Sequence, residues 1–238
     1  MAESTFHFKQ FSVKQHACAM KVGTDGVLLG AWTDVENTFN ILDAGCGTGL
    51  IALMLAQKCI AQIDAIDIDE SAVKQAANNI QESKWKERIE VFHTSLQKQS
   101  EFLPNKYDLI VCNPPFFHNA LKPENEARAN ARHSSLLPFN DLIDSAFNLL
   151  NPVGRLSLII PIIDADSLIT MATAKGFYIK RQCTVIPKPN KIAKRLLIEF
   201  SKLKVENLEK QELIIENEQR HHYTNKYISL TKDYYLNF

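Results

Sequence analysis

A strand that runs straight into a glycine loop and then a helix is the tightest constraint in this chain. Phe39-Asn40-Ile41-Leu42-Asp43 reads as a buried strand, and Ala44-Gly45-Cys46-Gly47-Thr48-Gly49 as the loop. Leu50-Ile51-Ala52-Leu53-Met54-Leu55-Ala56 reads as an apolar helix. In that order the pieces belong to an open parallel α/β sheet, whose loop turns backbone N–H groups toward a ligand. The spacing narrows the ligand. Gly45, Gly47 and Gly49 follow Gly-x-Gly-x-Gly, not the Gly-x-Gly-x-x-Gly of dinucleotide sites. Asp43 stands directly before the loop, a poor neighbour for a pyrophosphate and a good one for an ammonium group. A cofactor with an amino-acid end suits this loop better than a nicotinamide dinucleotide.

The second strand, Ala61 to Asp67, ends in an acid 22 residues after Gly45. An acid there can take both hydroxyls of a ribose. Asp69 is expected to cap the next helix, whose Ala72, Val73, Ala76, Ala77 and Ile80 share one face. Residues 89–93 read as a third strand, with Thr94-Ser95 leaving its carboxyl end. A fourth, Tyr107 to Cys112, delivers Asn113-Pro114-Pro115-Phe116. Neither proline has an N–H to give to a ladder, so the strand stops there and the turn is stiff. Asn113 is thus held at a strand's carboxyl end with an acceptor oxygen to offer. The Pro114 carbonyl is a second acceptor and Phe116 a flat apolar face. Together they suit a planar nitrogen compound with an exocyclic amine, such as a nucleobase. Taken alone, Asn-Pro-Pro is equally a plain strand-ending turn; the glycine loop and Asp67 upstream are what weight the functional reading.

The rest of the chain adds candidates for a polyanionic partner. A polar stretch from Phe117 to His133 lacks apolar periodicity, and loops of that length inside a domain tend to be functional. Arg128, Arg132 and His133 in it are candidates for phosphate contact, the alternative being a solvated loop. A helix is expected from Phe139 to Leu150, a turn at Asn151-Pro152-Val153-Gly154, a strand from Arg155 to Ile160, and a helix from Asp164 to Lys175 stopping at Gly176. Residues 177–186 and Arg195 to Phe200 read as a hairpin whose connection carries Lys188, Lys191, Lys194 and Arg195 and no acid. Those four are candidates for a nucleic-acid backbone, with a solvated hairpin tip as the alternative. Net charge is zero, which argues against a generic polyanion binder but leaves room for such a local patch. Residues 6–22 alternate like a short antiparallel hairpin, and Thr24 or Asp25 is expected to cap the helix that follows. Five scattered cysteines without zinc spacing indicate reduced thiols in a cytoplasmic protein that holds no metal. No apolar run approaches the ~18 residues of a membrane span. The expected organisation is one domain over 1–238: a hairpin and helix cap over 1–34, a catalytic core over 35–201, and a tail over 202–238.

Asp43-Ala44-Gly45-Cys46-Gly47-Thr48-Gly49, Asp67 and Asn113-Pro114-Pro115-Phe116 resemble the cofactor and catalytic motifs of class I amino-methyltransferases. Phe8-Lys9-Gln10-Phe11, the run from Met20 to Trp32, and Leu230-Thr231-Lys232-Asp233-Tyr234-Tyr235-Leu236 resemble, more closely, the bacterial tRNA1(Val) adenine-N6 methyltransferase family. The resemblance implies a Rossmann-like, seven-stranded, mostly parallel sheet with helices on both faces. It implies S-adenosylmethionine as cofactor and a tRNA substrate methylated on N6 of the adenine 3′ of the anticodon. The sequence does not fix the oligomeric state, and a monomer is the expectation. The resemblance places Asp43, Gly45, Gly47, Thr24 and Asp25 at the methionine end, Asp67 on the ribose, and Asn113, Pro114, Pro115 and Phe116 at the reacting base, with Asn113 also beside the cofactor. Ser95 stands where many relatives carry an Asp for the cofactor's adenine amine. Rival acceptors on the same motif are rRNA guanine N2 and a protein glutamine. A non-catalytic RNA-binding module is the rival from another class.

Overall fold

The computed structural model describes residues 5–16, 21–115 and 137–237. Alternation dictates its layers. Along β3 (Asn40–Ala44) and β6 (Tyr107–Cys112), Ile41, Leu109 and Val111 face one apolar cluster, and Leu42, Ala44, Ile110 and Cys112 face the other. Strands buried on both faces need helices on both faces. The first cluster is closed by α1 (Thr24–Trp32), α2 (Leu50–Lys58) and α3 (Glu70–Gln81). The second is closed by α4 (Leu96–Phe102), α5 (Phe139–Leu149) and α6 (Ala165–Lys175).

The remaining strands are β4 (Gln62–Asp67), β5 (Ile89–His93), β7 (Leu150–Pro161), β8 (Tyr178–Ile186), β9 (Arg195–Ser201) and β10 (Glu209–Ile214). They lie in the order β10-β8-β9-β7-β6-β3-β4-β5, and β9 runs antiparallel to the rest. The expected class is borne out with one strand more than seven. The addition is β10, an exposed edge strand that pairs parallel to β8. A two-stranded hairpin, β1 (Thr5–His7) with β2 (Ser12–Lys14), lies outside the sheet.

The C-terminal segment packs on the first face. Tyr234 donates its hydroxyl to the Met54 carbonyl at 3.2 Å, and Lys9 N–H donates to the Tyr234 carbonyl at 2.8 Å. Within this segment α7 (Asn225–Thr231) is capped by Thr224, whose hydroxyl accepts from Tyr227 N–H.

Two local expectations are corrected. Asn151 to Gly154 are not a turn between helix and strand but bulge within β7, which starts at Leu150: Tyr107 pairs with Leu150 and Leu109 with Arg155. The N-cap of α1 is Gly23, without a side-chain cap, and Thr24 and Asp25 sit inside the first turn. No helix among the described residues is long and apolar enough to cross a membrane.

Candidate active site

The order of strands reverses between β3 and β6, because the chain leaves β3 toward β4 and β5 and returns to place β6 and β7 on the other side. Open α/β sheets bind ligands in the crevice at that reversal. Register fixes who meets there. Ala44 pairs with Ile66 on one side and Cys112 on the other. The next residue along each strand is therefore Gly45, flanked by Asp67 and Asn113.

The glycine loop is tied down from below. Gly45 N–H and Cys46 N–H both donate to the Ile66 carbonyl at 2.9 Å, and Gly47 N–H donates to Asp67 Oδ2 at 2.9 Å. The other Asp67 oxygen accepts from Asp69 N–H at 2.9 Å. Gly45 and Gly47 adopt φ of 73° and 55°, where a side chain is disfavoured. A Cβ at either position would meet nothing within 4 Å. The glycines thus keep a hollow open above the strand ends.

At these strand ends two buried oxygens face no donor among the described residues. Asp43 is fully buried; its Oδ2 accepts from Ala52 N–H at 2.9 Å, while its Oδ1 has no partner. Burial pushes its carboxyl up to about 7, against the Ala52 hydrogen bond and with help from the nearby Asp67 charge. Asn113 Oδ1 is likewise buried and unpartnered. Buried acceptors of this kind are costly, and their persistence points to a donor that arrives with a ligand. The acceptors fit a nucleoside with an amino-acid end: Asp43 for the ammonium and the remaining lone pairs of Asp67 for the ribose hydroxyls. Pro114 is buried and Pro115 partly so, which fixes the turn that presents Asn113.

The other predicted residues spread along the same edge. Asp69 caps α3 as expected, accepting from Ser71 N–H at 2.8 Å. Ser95 caps α4, its hydroxyl accepting from Lys98 N–H at 3.2 Å. Thr24 is exposed at the start of α1. Asp25 and Arg195, expected to serve different ligands, meet: Arg195 Nε donates to Asp25 Oδ2 at 2.8 Å. Lys188 pairs with Glu216 at 3.3 Å, while Lys191 and Lys194 are exposed on the β8–β9 connection. The Arg195–Asp25 and Lys188–Glu216 pairs join distant parts of the chain, and no sequence signal marks them. Phe116, Arg128, Arg132 and His133 lie outside the described residues. No group of three or more His, Cys, Asp or Glu side chains among the described residues is placed to hold a metal ion.

The family profile of the methyltransferase small domain matches residues 22–164. A protein from Bacteroides fragilis named tRNA1(Val) (adenine(37)-N6)-methyltransferase is 46% identical over 240 residues, covering 99% of each chain. A Flavobacterium psychrophilum protein of the same name is 48% identical over 233 residues, covering 97% of this chain and 99% of its own. Among solved structures, one described as a predicted O-methyltransferase from Agrobacterium tumefaciens superposes with a TM-score of 0.69 at 18% identity, covering 88% of this chain and 96% of its own. At that identity the likeness concerns the fold alone.

Proposed function

The chain belongs to the bacterial tRNA1(Val) (adenine-N6)-methyltransferase family, and from that premise we propose that it methylates N6 of the adenine 3′ of the anticodon in tRNA, using S-adenosylmethionine. The observation that carries the reading is the orphaned Asn113 Oδ1 beside a glycine hollow at the strand-order reversal. An exocyclic amine is the donor this acceptor lacks.

Each residue then has a chemical task. Asp43, Gly45 and Gly47 hold the amino-acid end of the cofactor, with Thr24 and Asp25 beside them, and Asp67 holds its ribose. Ser95 is the weakest member of this set, since its hydroxyl already caps α4. When bound, S-adenosylmethionine supplies an electron-poor methyl group on sulfur. The adenine N6 lone pair is delocalised into the ring, so the amine is a poor nucleophile. Asn113 Oδ1 and the Pro114 carbonyl accept its two N–H bonds and favour a pyramidal nitrogen. Their pull grows as positive charge develops on nitrogen, so they stabilise the transition state more than the ground state. One N6 proton then leaves to water. Phe116 stacks on the base, a contact of the kind worth ~1–3 kcal/mol. Pro115 stiffens the turn between them. A loop base is cheap to extrude compared with a paired one. Lys191 and Lys194 contact RNA phosphates, together with Arg128, Arg132 and His133; Lys188 and Arg195 do so while tied to acids. The enzyme works as a cytoplasmic monomer.

The test is methyl transfer from labelled S-adenosylmethionine to total tRNA from a strain lacking this protein, read by nucleoside mass spectrometry. N6-methyladenosine is the expected product. N2-methylguanosine would keep the chemistry and change the acceptor; no methylated nucleoside would overturn the reading.

A further inference from the structure

Beyond Thr24, which forms one of its walls, strand β1, the start of α1, the end of β10 and the C-terminal segment line a second hollow of about 680 Å³, half open to solvent. Its walls are aromatic. Tyr223 and Tyr227 stack with ring centres 5.1 Å apart, and Phe6 meets Tyr235 edge-on at 6.2 Å. Glu216 stands at the wall, held by Lys188 and by His221 N–H. The hollow is open to solvent on one side, so a ligand can reach it without the fold opening. It falls in the range of ligand sites.

Topology places this hollow on the same edge as Asn113. Ile214 pairs with Ile186, Val185 with Arg195, and Arg195 with Pro161. The carboxyl ends of β10, β8 and β7 therefore lie on the same edge as that of β6 but extend further, since Cys112 pairs with Leu158, three residues before Pro161. Pro187, Ile215 and Glu216, which continue β8 and β10, line the hollow. From β6 to β8 is three strand spacings, about 15 Å. The exposed Lys191 and Lys194 stand on the connection that starts from the same strand end.

We propose that this aromatic hollow takes a second, unstacked nucleobase of the RNA substrate, a few nucleotides from the base at Asn113. The proposal rests on the reading of the chain as an RNA methyltransferase. The partly exposed rings of Phe6, Tyr223 and Tyr235 supply a sequence-tolerant stacking surface, as in single-strand binding sites, and the buried Tyr227 backs Tyr223. Glu216 supplies an acceptor for a base N–H. The cations between the two hollows track the phosphates that join the two bases. Holding a loop at two splayed bases fixes which adenine reaches Asn113, so the hollow acts on substrate choice and not on the chemical step.

The test uses the full chain and a hairpin RNA carrying the substrate's anticodon loop. Loop nucleotides other than the target adenine are made abasic one at a time. At one position the KM for RNA is expected to rise about 5- to 100-fold, with kcat and the KM for cofactor unchanged. Tyr223→Ala should raise the RNA KM on the intact loop by a similar factor, add little on the sensitive abasic loop, and be rescued by Tyr223→Phe. Penalties that multiply, or no sensitive position, would overturn the proposal. If Tyr223→Ala does not fold, photo-crosslinking of the native protein to loops carrying 4-thiouridine decides. A crosslink within residues 215–235 from a non-target position supports the hollow, and crosslinks confined to other segments overturn it. If the native protein methylates no RNA, the functional reading fails on its own, and the same crosslinks still decide whether a base occupies the hollow.

Discussion

On one side of β7, Glu199 is fully buried in β9 and both of its carboxylate oxygens are engaged. On the other side, Asp43 is as deeply buried in β3, and one of its oxygens has no partner among the described residues. Glu199 Oε2 accepts from Ser157 at 2.9 Å and Arg181 at 3.1 Å, and Oε1 lies 3.3 Å from Lys180 and 3.4 Å from Arg155. Arg155 goes on to Asp34 at 3.0 Å and to Thr38 at 3.0 Å, and Arg181 lies 3.8 Å over the Trp32 ring. Burial alone would raise the Glu199 carboxyl, but Arg181, Arg155 and Lys180 outweigh it and hold it below the usual carboxylate range. No such cations surround Asp43, and its carboxyl rises to about 7. The first region uses buried charge to join β7, β8 and β9 to the end of α1. The second leaves charge unsatisfied where a ligand is to arrive. Glu199, completed from within, reads as structure, and Asp43, left incomplete beside the glycine loop at the strand reversal, reads as part of a site.

The two regions should therefore fail differently. Glu199→Ala leaves three cations without their shared acceptor and is expected to cost about 3–5 kcal/mol, seen as a lower urea midpoint. Whatever folds should keep its affinity for S-adenosylhomocysteine. Asn113→Ala removes an acceptor that the fold itself does not use. Its urea midpoint should hold or rise, cofactor affinity should persist, and kcat should fall about 10²- to 10³-fold. A large stability loss in Asn113→Ala, or near-native turnover, would dissolve the contrast.

Asp43→Asn tests the cost of incompleteness. A carboxyl whose folded value lies near 7 against an ordinary 3.8 binds more protons folded than unfolded between those values. Stability of the native chain thus falls as pH rises through that window and is lowest above about 7, by up to about 4 kcal/mol. The Asn variant lacks this penalty but leaves an amide unpaired at every pH, so its net gain at pH 8 should be about 2 kcal/mol, passing through zero near pH 5 and turning into a loss of about 1–2 kcal/mol near pH 4. Urea midpoints at pH 8 and pH 5 check it; an equal gain at both would show that the Asp43 charge is not the cause. S-adenosylhomocysteine should bind the variant more weakly, since the ammonium loses its partner.

Sequence made the incomplete region legible and left the complete one nearly invisible. The strand, glycine loop and helix from Asn40 to Lys58 are contiguous, and Asp67 and Asn113 each follow an apolar strand directly, so local pattern was enough. Glu199 sits in Arg195-Leu196-Leu197-Ile198-Glu199-Phe200, where nothing local says that an inward position holds an acid. Its partners Arg155 and Arg181 lie on other strands. β10 was missed for a related reason: Glu209-Lys210-Gln211-Glu212 is exposed at a sheet edge, and only Leu213 is buried. The bulge at Asn151 to Gly154 carries turn residues, and its continuation as strand is decided by pairing to β6 and β9.

The finest test separates the hollow from its walls with one methyl group. Gly47 has φ of 55°, and a Cβ there would meet nothing within 4 Å. Gly47→Ala therefore meets only backbone strain, about 1 kcal/mol. Gly154 carries no positive φ, but a Cβ there would stand 2.8 Å from Leu150 Cδ2 and 2.9 Å from its Cβ, so Gly154→Ala meets a packed core. If the space over Gly47 is a ligand cradle, Gly47→Ala should weaken S-adenosylhomocysteine binding by more than its stability loss. Gly154→Ala should lose stability and keep affinity. Calorimetric titrations beside urea melts read both quantities on the same samples. An affinity loss in Gly47→Ala no larger than its stability loss would mean that the open space above the loop is solvent and not a seat, and the glycines would then serve only the turn.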